Sequence, residues 1–173
     1  MSNLDDTIKK SLNEIKNNCI CKRLTRELND LSLSSDDNML HIQSIEFDEK
    51  GFPIVALVDY STDNINIYYF HLGEFYPFRN PKIKINNSDY LEFLRIRTFV
   101  FQQLLKKING INCLCCESYL CNERWTPATR LINIVNEIRL FRKYKRDIIN
   151  KFYANKIKRM YLFDDIDLDS WLF

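Results

Sequence analysis

Apolar residues recur at Leu4, Ile8, Leu12, Ile15 and Cys19, the spacing of one helix face. A second phase follows at Leu24, Leu28 and Leu31, with Lys22, Arg23 and Arg26 between them. This stretch predicts one long helix or two abutting ones, ending near Leu31. Ser32, Ser34, Ser35, Asp36 and Asp37 mark a loop. The period then changes. His41 to Phe47 alternates, Ile42, Ile45 and Phe47 against Gln43, Ser44 and Glu46, with one slip. Asp48-Glu49-Lys50-Gly51 reads as a hairpin turn. Pro53 to Tyr60, Ile65 to Leu72 and Pro81 to Ile85 give three further strands, rich in β-branched and aromatic residues.

Between Asp89 and Ile108 the alternation disappears and no glycine or proline interrupts, which predicts a helix, unbroken or broken once, stopping at Asn109-Gly110. A cysteine-rich loop runs from Cys113 to Cys121. Pro127 then opens a helix whose buried face carries Leu131, Ile134, Val135, Ile138 and Phe141. A further basic helix is expected from about Lys145 to Leu162. Helix, four-stranded antiparallel meander, loop and helices in that order make the class α+β.

Composition narrows the picture. A chain of 173 residues that is 46% hydrophobic and 28% charged suits one domain with a core of its own. A net charge of +2 is too small to argue for nucleic acid from the whole-chain balance. The charge is uneven, however: Arg139 to Arg159 is strongly basic and Asp164 to Asp169 acidic. Nucleic-acid binding through Lys143 to Arg159 needs aromatic groups interleaved on a groove. Tyr144, Phe152, Tyr153 and Tyr161 fit a buried helix face equally well, and a solvated basic face is the plainer reading. The N-terminus has no signal-type apolar core and no run is long enough to span a bilayer, so an intracellular protein, cytoplasmic or nuclear, is expected. Its six cysteines are then expected as thiols.

Three stretches resemble the ubiquitin-conjugating enzyme family. Lys22 to Leu31, KRLTRELNDL, is similar to the family's first helix, which ends in Glu-Leu-x-x-Leu. Tyr76-Pro77-Phe78-Arg79-Asn80-Pro81 resembles its Tyr-Pro-Phe-x-Pro-Pro segment, with Asn80 in place of a proline. Trp125-Thr126-Pro127-Ala128 resembles its Trp-Ser-Pro-Ala. The resemblance covers roughly Cys21 to Phe141. It implies a conjugating-enzyme-like fold over residues 21–163, preceded by a helical extension, 1–20, and followed by an acidic, hydrophobic tail, 164–173, suited to docking on a partner or folding back.

The resemblance also implies a chemistry. Family members carry ubiquitin, or a ubiquitin-like modifier, as a thioester on one cysteine. They receive it from an activating enzyme and pass it on with a ligase. No cofactor is implied. The family context Asn-Gly-x-x-Cys-Leu matches Asn109-Gly110-Ile111-Asn112-Cys113-Leu114, which makes Cys113 the expected nucleophile. At the place of the family's His-Pro-Asn, whose asparagine holds the oxyanion, stands Gln103-Leu104-Leu105; Asn109 or Asn112 is left as the substitute donor. Cys113 also lies further from Trp125 than the family pattern has it, so Cys116 is a rival nucleophile on spacing.

The cysteines admit a metal reading as well. Cys113, Cys115, Cys116 and Cys121 share one loop, and Cys19 and Cys21 form another pair. The spacing C-x-C-C-x4-C is not that of paired zinc knuckles, and free, partly buried thiols are the plainer expectation. His41 and His71 fall in strands and are read as sheet residues. The sequence thus leaves two functions open: a divergent conjugating enzyme using Cys113, and an inert relative that binds ubiquitin or another protein as a scaffold or assembly subunit.

Overall fold

The structure is a computed structural model that describes residues 6–13, 15, 18–33, 39–61, 64–121 and 123–161. The expected loop at 34–37 and the tail, 164–173, lie outside these residues. Contacts gather into two compact units: Met1–Leu94 with Tyr119–Ile134, and Arg95–Ser118 with Val135–Phe173.

The first unit holds the sheet. Its N-terminal helices are two, α1 (Asp6–Asn13) and α2 (Asn18–Leu33). α2 buries Leu24, Leu28 and Leu31, the second stripe read from the sequence, together with Ile20, while Cys19, expected on the apolar face, is exposed. Five strands follow in spatial order β1-β2-β3-β4-β5, each antiparallel to its neighbour: β1 (Leu40–Phe47), β2 (Pro53–Asp59), β3 (Asn66–His71), β4 (Lys82–Ile85) and β5 (Ser88–Asp89). The slip in the β1 alternation is a register irregularity between Ile42 and Ser44. There the strand takes up an extra residue, which returns Ile45 to the buried side. β3 alternates cleanly, burying Asn66, Tyr68 and Phe70. The β1–β2 turn is held by Asp48, whose Oδ1 accepts from the Lys50 and Phe52 N–H groups at 2.9 and 2.8 Å. Gly51 sits there at φ 82°, where a side chain would be strained.

β5 is one strand more than the sequence suggested. Asn86 and Asn87 adopt φ of 47° and 68°, and Asn tolerates that region well enough to close a two-residue hairpin. Asp89, expected to open a helix, ends this strand; its Oδ1 instead accepts from the N–H of Leu91 in α3 (Tyr90–Leu94), at 2.7 Å.

The second unit is helical. α4 (Phe99–Asn109) starts at Thr98, whose hydroxyl accepts from the Phe101 N–H, and ends at Gly110, left-handed at φ 70°. The expected 89–108 helix is therefore broken at residues 95–98. A short α5 (Leu114–Glu117) lies inside the cysteine loop. α6 (Leu131–Tyr161) begins four residues after the expected proline start and runs on without a break. Two corrections follow. Pro127 and Ala128 belong to the turn before the helix, closed by a Thr129 N–H to Thr126 carbonyl bond of 2.9 Å. The two expected C-terminal helices are one, because no glycine or proline interrupts them. The apparent gap in their apolar stripe is Lys145, half-buried on the face shared by Phe141 and Ile148, with burial lowering its ammonium pKa. Phe101 of α4 meets Phe152 of α6 edge to face at 5.3 Å.

Candidate functional site

Within the first unit, two of the stretches that carry the resemblance meet the start of α6 around one acid. Glu27 follows Leu24 at helical spacing and is only 2% exposed. A carboxylate at that depth needs partners. It ion-pairs with Arg23 on the preceding turn. The Tyr76 hydroxyl donates to its Oε1 at 2.6 Å, and the N–H of Leu131, first residue of α6, donates to its Oε2 at 2.9 Å. Burial and the adjacent carboxylate together hold the Tyr76 phenol protonated well above its ordinary range. Burial works against the Arg23 charge, but the same carboxylate outweighs it and raises the guanidinium pKa. Arg23 also donates to the Thr129 carbonyl at 3.0 Å. One buried charge thus joins α2, the Tyr-Pro-Phe segment and the start of α6.

Two more bonds fasten the same segments. Trp125 donates its indole N–H to the Pro77 carbonyl at 3.0 Å. Asn80 donates its amide to the Leu120 carbonyl at 2.8 Å, which anchors the residues just before Cys121. The Cys121 carbonyl accepts from the Arg124 and Trp125 N–H groups, and its own thiol is free and half-buried. Sequence reading passed over Glu27 as an organiser. The available signal was an acid at a stripe position.

The cysteine loop proper belongs to the second unit. Gly110 stops α4, and Cys113 is extended, at φ −155° and ψ 128°. One helical turn follows, burying Leu114 completely and leaving Cys115 and Cys116 exposed. At its far end the buried Ser118 hydroxyl donates to Glu137 of α6 at 2.6 Å. The loop is therefore held at both ends and presents its sulfurs between them. Cys113 and Cys115 are joined as a disulfide, and the Cys116 sulfur lies 4.0 Å from that of Cys115. This corrects the expectation that all six cysteines are thiols: Cys19, Cys21, Cys116 and Cys121 carry thiols, and Cys113 and Cys115 share a disulfide. The expectation rested on compartment, whereas the extended residue followed by a tight turn brings two sulfurs of one loop into bonding range.

The remaining candidates separate. Asn109 ends α4 half-buried, and its Oδ1, an acceptor, has no hydrogen-bond partner among the described residues. Asn112 is exposed. Leu105, where the sequence resemblance calls for an oxyanion donor, is wholly buried inside α4, while Gln103 is exposed. Of the four loop cysteines considered as metal ligands, Cys113, Cys115 and Cys116 have sulfurs all within 4.8 Å of one another. Cys121 lies in the first unit, as do Cys19 and Cys21, the latter donating to the Leu12 carbonyl at 3.3 Å. His71 pairs with Asp48 at 2.6 Å beside the β1–β2 turn, and His41 packs edge to face with Tyr60, so both are sheet residues.

The second unit also carries an apolar groove of about 290 Å³. Ile96, Phe101 and Ile148 line it, as do Arg95, Arg97 and Lys145. Among the described residues no helix is long and apolar enough to cross a membrane. Comparison of the chain with family models, with curated proteins and with solved structures returns no match in any of the three.

Proposed function

We propose that this chain is a conjugating-enzyme-like protein that does not conjugate, and that it binds ubiquitin or another protein of that pathway as a scaffold or assembly subunit. The observation that carries this reading is Leu105. Thioester transfer needs a hydrogen-bond donor aimed at the developing oxyanion, and losing one such donor costs on the order of 100- to 1,000-fold in rate. At the position where the family resemblance calls for the donor, this chain has a wholly buried hydrocarbon within a regular helix. Asn112 is exposed, and Asn109 buries an acceptor oxygen. The sheet, the first helix and the Glu27-centred network support the family's architecture as a scaffold, because they need no active thiol. The groove beside Phe101, with Ile96 and Ile148 in its lining, suits an apolar segment of a partner.

A second reading, the conjugating enzyme, rests on the loop itself. Cys113 follows a fixed helix stop, is half-buried beside the anchored Leu114, and stands at the N-terminal end of α5. Reduced, it is reachable. One assay separates the two. The reduced protein is incubated with activating enzyme, ATP and ubiquitin, beside an established conjugating enzyme charged in the same mixture, and run on gels with and without reductant. We expect no reducible adduct on this chain. An adduct lost in Cys113→Ala but kept in Cys116→Ala would establish the second reading instead.

A further inference from the structure

The cysteine loop has a use that depends on neither reading. We propose that its reduced form is a three-thiolate site for one soft, closed-shell cation, formed by Cys113, Cys115 and Cys116. The backbone builds it. Cys113 is extended at the start of a single helical turn that buries Leu114 and carries Cys115 and Cys116. All three sulfurs lie within 4.8 Å of one another, and the Cys115 and Cys116 sulfurs are 4.0 Å apart. Thiolates bound to one ion at about 2.3 Å each stand roughly 4 Å apart, so small side-chain rotations suffice.

The donor set decides which ion. No carboxylate or imidazole joins the three sulfurs among the described residues. An all-sulfur set rejects magnesium and calcium, which take oxygen ligands, and selects copper(I) or zinc. Zinc at structural sites takes four ligands, so a set of three favours copper(I), with zinc bound less tightly and completed by water. The Cys113–Cys115 disulfide gates the site. Two molecules of a small thiol, RSH, reduce it, giving RSSR and two cysteine thiols. Three sulfur–metal bonds then form as the three thiols release three protons to solvent. In reverse, the three thiolates take up three protons as the ion leaves, and RSSR accepts two electrons and two protons from Cys113 and Cys115, giving two RSH as the disulfide re-forms.

The test uses the full chain, reduced with a phosphine and desalted without oxygen. Copper(I) is supplied from a coloured chelator in competition, and zinc(II) alone in a parallel titration, followed by the ultraviolet sulfur-to-metal band. One copper(I) per chain is expected. Removing a group that merely orients a ligand weakens binding about 10- to 100-fold, so loss of a ligand, in Cys113→Ser, Cys115→Ser or Cys116→Ser, is expected to weaken it at least about 100-fold. Cys19→Ser and Cys121→Ser should bind as wild type does. Cys115 and Cys116 are exposed, so their serine variants keep the fold, which circular dichroism verifies. Zinc binding with the same cysteine dependence also supports the site. Binding that survives Cys115→Ser with Cys116→Ser, no binding at one equivalent, or equal binding by the oxidised chain would overturn it.

Discussion

Glu27 is held by a tyrosine hydroxyl, a guanidinium and a backbone N–H; if the acid goes, the Tyr76 hydroxyl and the Leu131 N–H are left in a dry place, while part-exposed Arg23 keeps the Thr129 carbonyl. Glu27→Ala should therefore cost about 3–5 kcal/mol, the range for stripping one partner from a buried ion pair. Tyr76→Phe, which leaves the carboxylate with Arg23 and the Leu131 N–H, should cost less, about 1.5–3 kcal/mol, the range for one hydrogen bond to a charged group. Urea unfolding of the two variants checks the ordering; equal losses would mean that Glu27 is not the centre of the network. Asp48 is the second telling residue. The Phe52 N–H above all, against a smaller opposing effect of burial, then His71 and the Lys50 N–H hold its carboxyl below the ordinary 3.8. A carboxyl whose folded pKa is depressed stabilises the fold above its unfolded value, and that contribution fades as the pH falls through the folded value. Asp48→Asn should thus lower the melting temperature at neutral pH, with the difference from wild type shrinking below about pH 4. A gap that persists at lower pH would assign the loss to turn geometry alone.

At the scale of elements, the longest helix is the most informative. Its apolar positions run from Leu131 through Phe141 to Ile148, and a half-buried lysine stands where the stripe falters. In a continuous helix the exposed Lys143 sits mid-element, so Lys143→Pro should cost about 3 kcal/mol or more and Lys143→Gly about 1 kcal/mol. If two helices met there, the proline would be nearly neutral. Denaturant unfolding followed by helical circular dichroism distinguishes the cases. The elements most legible in the sequence were those with a strong period or a stop signal: the β1 alternation with its slip, the Gly51 turn and the Gly110 helix end. The β5 hairpin was not, because two residues of strand carry no period and Asn86-Asn87 is a weaker turn signal than Asn-Gly. Nor was the late start of α6. Proline suits a first helical turn, but here the first helical N–H is satisfied from across the unit by Glu27.

For the molecule as a whole, the basic run on α6 raises the question of nucleic acid. Phe152 of that run packs against Phe101, and Tyr144 lies 6.2 Å from Phe141, so these rings are engaged within the protein. Single-stranded binding needs aromatic faces presented along a charged groove. Fluorescence anisotropy with a labelled single-stranded oligonucleotide should show no binding at physiological salt. Tight binding that weakens steeply with salt would reinstate the basic face as a functional surface.

The sequence by itself determined what local periodicity and stop residues encode: the α+β class, the helical and sheet stripes, the ends at Gly51 and Gly110, and the crowding of cysteines between residues 113 and 121. Tertiary structure decided what depends on residues far apart in the chain. It chose Glu27 as the acid that closes three segments, gave Asn80 a carbonyl to hold, and put Leu105 in the interior. It also drew Cys113, Cys115 and Cys116 together while Cys121 went to the other unit. The reason is physical. Periodicity reports which face of an element avoids water, whereas the partner of a buried charge, and the direction in which a sulfur points, are set only when separate elements pack and the loops between them are held at both ends.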